Sequence, residues 1–115
     1  MTVFDKGLIT VMSVAALFIG LAIPLVLRKI PPNIVYGFRV AATLRDEKVW
    51  YETNDTFGRW LIAASIVSGA GIYLIYTMRW FGAETFMTAT IVALAAPVVI
   101  ATIAGFSRLR SSRQP

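Results

Sequence analysis

The sequence predicts an all-α fold: an integral membrane three-helix bundle with a structured cytoplasmic loop between spans one and two. Three observations carry that prediction. Hydrophobic residues make up 57% of the 115-residue chain and the mean hydropathy is +0.72, more apolar surface than one small domain can hide from water. Three runs, 7–27, 60–78 and 86–106, contain no Asp, Glu, Lys, Arg or His, and each is long enough to cross about 30 Å of hydrocarbon at about 1.5 Å per residue. The single long polar stretch, 28–59, lies between the first two runs. The whole chain, 1–115, reads as a single membrane domain.

The first span, "GLITVMSVAALFIGLAIPLVL", is too long for a signal peptide and no polar cleavage region follows it. Pro24 falls near its end and Pro97 inside the third span; each predicts a modest kink that neighbouring helices tolerate. Small residues recur at four-residue spacing: Ala16 and Gly20, Ala64 and Ser68, Ser65 and Gly69, Ala101 and Gly105. Such pairs let helix backbones approach closely in lipid, within one chain or between chains, so a homo- or hetero-oligomer is open on this pattern. With no ionisable group at membrane depth, a proton relay, ion ladder or voltage sensor is not expected. Thr10, Ser13, Thr88, Thr90 and Thr102 are expected to bond back to their own helices.

Orientation follows from the cations. Lys6 and Arg79 lie on one side. Arg28, Lys29, Arg39, Arg45, Lys48 and Arg59 of the loop, with Arg108, Arg110 and Arg113 of the tail 107–115, lie on the other. Nine against two places the amino terminus outside and the loop and tail in the cytoplasm. Trp60, Tyr76, Trp80 and Phe81 fall where an aromatic belt would sit. The cations line a membrane face, where anionic headgroups are the default partner. The tail reads as a short, frayed stop-transfer anchor. Nothing in the sequence suggests base-reading or stacking elements, so nucleic acid is not an expected partner.

The chain has no cysteine and no histidine, which removes thiolate chemistry, the usual zinc ligands and the commonest general base. Asp46, Glu47, Glu52 and Asp55 are the carboxylates of the loop; their adjacent or five-residue spacings assemble neither an acid/base pair nor a magnesium site. They read as a solvated, salt-bridged face alternating with Arg45, Lys48 and Arg59. No catalytic residue, metal or cofactor is expected, and the chain is not expected to be an enzyme.

Within the loop, Pro31-Pro32 ends the first helix. Asn33 suits a turn cap, Gly37 a positive φ, and Arg39 a headgroup, a carboxylate or a helix carboxy terminus. Asp46 looks like a helix start with Glu47 favoured in its first turn. A helix from there runs without interruption into span two and puts Trp50 and Asn54 one turn apart on one face.

The order "IPPN", "YGFR", a threonine, then Trp, Asn and Gly resembles the core pattern of the SdpI family of bacterial membrane proteins. The matching positions are Pro32, Asn33, Gly37, Arg39, Thr43, Trp50, Asn54 and Gly58. The resemblance implies a multi-pass protein of the bacterial inner membrane. The member that gives the family its name confers immunity to a secreted toxic peptide and passes a signal by holding a repressor at the membrane. Two roles follow as expectations: an immunity or signalling protein whose loop cluster (Asn33, Gly37, Arg39, Thr43, Trp50, Asn54, Gly58) binds a peptide, lipid or regulator, or a small accessory subunit of a larger membrane complex in which the same residues are structural.

Overall fold

A computed structural model describes residues 2–79 and 81–112. Trp80 of the expected aromatic belt and Arg113 of the tail lie outside them. The described chain forms α1 (Val3–Val26), α2 (Ala41–Arg45), α3 (Glu47–Met78) and α4 (Ala83–Ser112). α1, α3 and α4 are each long and apolar enough to cross a membrane, with mean hydropathies of 2.5, 1.7 and 2.2.

Each long helix outruns its predicted span, for a local reason. α1 begins at Val3 because Thr2 caps it: the Thr2 hydroxyl accepts from the Asp5 N–H at 3.2 Å, and the Asp5 carboxylate accepts from the Thr2 N–H at 3.1 Å. α3 begins at Glu47 because the Asp46 carboxylate accepts from the N–H groups of Lys48 and Val49. It then runs unbroken through the polar half of the loop into the second span, 32 residues in all. α4 stays helical through Ser112, so the part of the tail that is described is a continuation of the third span and not a frayed end. Both α1 and α4 continue through their prolines, and Pro97 is fully buried.

α3 is the central helix: it packs along both α1 and α4, which touch each other less. The packing has two centres. At the end away from the loop, Val11, Ile72 and Phe86 meet, flanked by Phe4 and Leu94, with the Phe4 and Phe86 rings 5.1 Å apart. Towards the loop, the small residues Ala22 and Ala101 close on Leu61. Ala64, Ser65, Gly69, Ala101 and Gly105 are buried, whereas Ala16 and Gly20 face outward. Thr10, Thr88 and Thr90 bond back to the carbonyls of Lys6, Glu84 and Phe86 at 2.7, 3.1 and 3.0 Å. Because α3 overhangs the end of α1 by several turns, the loop has a helical wall to fold against.

Candidate functional site: a folded cap

The cap starts at the end of α1. The Arg28 N–H donates to Leu25 at 3.2 Å and the Lys29 N–H to Pro24 at 3.0 Å, the paired bonds of a Schellman ending. The left-handed position of that ending is filled by Arg28, with φ 58°, where glycine is usual. Its guanidinium instead reaches Asp55 on α3 at 3.2 Å.

Pro31-Pro32 then leads into an Asx turn. The Asn33 side-chain oxygen accepts from the N–H groups of Val35 (2.9 Å) and Tyr36 (2.7 Å), and its amide donates to the Pro31 carbonyl at 2.8 Å. The turn folds the chain back along α1, where the Tyr36 hydroxyl donates to the Leu21 carbonyl. Burial pushes the Tyr36 phenol above its ordinary pKa, which keeps it a donor.

Asn54 holds the next segment. Its side-chain oxygen accepts from the Phe38 N–H, and its amide donates to the Phe38 carbonyl (3.3 Å) and to the Trp50 carbonyl (3.0 Å). One buried amide thus satisfies both polar backbone groups of a loop residue, as a neighbouring strand would. Thr43 completes that carbonyl's surroundings. Its hydroxyl lies 3.1 Å from the Phe38 oxygen and 2.9 Å from the Val40 oxygen, and accepts from the Val40 N–H at 3.0 Å, which starts α2. Trp50 is fully buried, and its indole N–H donates to the Ile30 carbonyl at 2.7 Å. Gly37 has φ +108°, and a Cβ there would stand 2.7 Å from the Asn54 side-chain oxygen and 3.3 Å from the Trp50 ring. Both backbone conformation and space therefore require glycine.

The Phe38 side chain joins the cap to the bundle. It lies between Phe57 of α3 and Phe106 of α4, with ring centroids 5.7 and 5.1 Å away. It also sits so close over Gly105 that a Cβ there would be 2.7 Å from its ring. Gly58 does the same for α1: a Cβ would fall 2.9 Å from Val26 and 3.0 Å from the Ala22 carbonyl.

The structure therefore brings Gly37, Trp50 and Asn54 into direct contact and joins Thr43 to them through Phe38. Asn33 shapes the turn before them, and Gly58 lies one turn further along α3. Arg39 is exposed and turns back on its own loop, donating to the Ile34 and Gly37 carbonyls. The charged face is sparser than its alternation suggests: among the described residues the ion pairs are Arg28–Asp55, Arg59–Asp55 (2.6 Å) and Arg108–Glu52 (3.4 Å). Arg45, Glu47 and Lys48 are exposed, and Arg45 donates back to the Ala41 carbonyl of its own helix at 3.2 Å. Among the described residues no three His, Cys, Asp or Glu side chains converge as metal ligands. Ile30, Tyr36 and Phe38 are cap residues that the sequence did not single out, while Gly105, flagged there only for close helix approach, is the α4 position on which Phe38 rests. For Phe38 a signal existed: a large aromatic between a glycine and an arginine in polar surroundings.

Apart from the Thr53 hydroxyl, which has no hydrogen-bond partner among the described residues, the cap's buried polar side chains bond within the cap, so its inner residues set shape and its outer rim is what other molecules meet. The description "SdpI/YfhL protein family" belongs to the family model that matches this chain, over residues 29–106, a stretch that begins at the cap and ends near the carboxy-terminal end of α4. No curated protein and no solved structure matches.

Proposed function

Since this chain belongs to the SdpI/YfhL protein family, we propose that it is an immunity or signalling protein of the bacterial inner membrane, acting against membrane-active peptides. In this reading the amino terminus is outside and the cap is cytoplasmic, in keeping with the nine-to-two division of cations. The observation that carries it is the clamp of Asn54 on both backbone groups of Phe38. A tether between two spans has no need of a buried, directionally bonded interior, whereas a surface of fixed shape does. That surface exposes Ile34, Val35 and Leu44 beside Arg39, Arg45 and Lys48, a mixed apolar and basic rim suited to a peptide or a regulator with an acidic, apolar face.

The test is survival of a sensitive bacterium producing the chain when challenged with a defined membrane-active amphipathic peptide that carries an acidic face. Trp50→Ala should abolish protection by collapsing the cap, and Arg39→Gln should reduce it while leaving the interior intact. Undiminished protection by both variants at normal membrane levels overturns the reading.

A second reading, an accessory subunit of a larger membrane complex, is favoured by one observation. Ala16 and Gly20 present a small-residue face outward, and nothing lies within 4 Å of where a Gly20 Cβ would stand, which leaves room for a partner helix. Native mass measurement after gentle extraction tests it: a lone species of 12.6 kDa sinks this second reading.

A further inference from the structure

Between α3 and α4 lies an open groove of about 600 Å³. Its lining changes character along its length. Ile100, Ile103 and Ala104 form the part within the third span, while Thr56, Ser107, Arg108 and Ser111 surround the part beyond it. Trp60, half exposed, stands between the two zones at the start of the second span. An apolar trough leading to a ring of donors has the polarity profile of one leaflet, hydrocarbon first and headgroup after.

We propose that this groove binds an anionic phospholipid, with an acyl chain along Ile100 and Ile103 and the phosphodiester among Thr56, Ser107, Ser111 and Arg108. The chemistry favours that occupant over water or a neutral lipid. Among the described residues, the three hydroxyls have no protein partner. Arg108 is paired through a single guanidinium nitrogen, 3.4 Å from Glu52, and its side chain is 44% exposed. Its remaining N–H groups are free for a phosphate oxygen, which the planar fork suits better than a point charge would. Glu52 is the competing anion: it both positions Arg108 and weakens its pull on a second negative group. The proposal requires only that the bundle spans a bilayer, and holds whichever side the cap faces.

Native mass spectrometry of the full chain, with phosphatidylglycerol or phosphatidylcholine added at matched concentrations, tests it. One well-placed cation at the surface is worth about fivefold in favour of the anionic lipid, so phosphatidylglycerol adducts should survive by about that factor over phosphatidylcholine. Arg108→Gln should bring the two lipids to parity. Glu52→Gln breaks the same ion pair but frees Arg108, so it should keep or raise the preference; if it instead lowers the preference as far as Arg108→Gln does, the arginine acts only through its ion pair and the proposal falls. Ile103→Trp, on the exposed floor, should reduce adducts of both lipids with the fold unchanged by circular dichroism. Equal retention of the two lipids by the unaltered chain, or undiminished adducts with Ile103→Trp, also overturns it.

Discussion

At the loop-bearing end, Phe38, Thr43, Trp50 and Asn54 are held by hydrogen bonds between buried side chains and backbone, and Gly37 is pressed against Asn54 and Trp50. At the opposite end, Val11, Ile72 and Phe86 meet as apolar surfaces, and the Tyr76 hydroxyl donating to Asp5 is the main directional contact. The difference reflects the two solvents. Between membrane helices, lipid tails are as apolar as the side chains they replace, so burial drives association weakly and shape complementarity decides. Outside the hydrocarbon, water competes for every polar group, and a loop keeps one conformation only where its backbone groups are all answered. Most of what makes this fold unique should therefore reside in the cap, although the spans contribute most of the residues.

Substitutions break or sharpen that contrast, and the largest effect is expected at Asn54. Asn54→Ala strands the Phe38 N–H in a buried site, leaves the Phe38 carbonyl only the Thr43 hydroxyl, and should cost about 3 kcal/mol, read as the midpoint of unfolding in detergent titrated with dodecyl sulfate. Gly37→Ala comes next: the positive φ and the Cβ pressed against Asn54 should cost about 2 kcal/mol in the same assay. Phe86→Ala removes far more volume, yet should cost only about 1.5 kcal/mol, since the cavity loses packing while transfer from lipid adds almost nothing. A larger loss for Phe86→Ala than for Asn54→Ala would reverse the contrast. Smallest is Arg28→Gly. Relief of the left-handed conformation offsets an exposed ion pair whose carboxylate keeps Arg59, and the net change should stay within about 0.5 kcal/mol.

The same four-residue spacing of small residues met two fates. Ala101 and Gly105 are buried, the latter under the Phe38 ring, whereas Ala16 and Gly20 face outward. Spacing shows that a close approach is possible, but only the position of neighbouring helices decides whether it is used. Trp50 and Asn54 were legible as a pair because four residues along a helix set their common face. Their partners, Ile30 and Phe38, lie 20 and 16 residues away along an irregular segment, and no periodicity connects them.

By itself the sequence determined the spans, the start of α3 at Asp46 and the shared face of Trp50 and Asn54, because hydropathy, capping and helical period are local properties. Only the tertiary structure decided that Asn54 closes on Phe38, that Arg39 turns back on its own loop, and that Arg108 pairs with Glu52 at the edge of an open groove. Those contacts depend on where an irregular loop and two separate helices meet in space, which is set by the sum of many weak interactions along the whole chain.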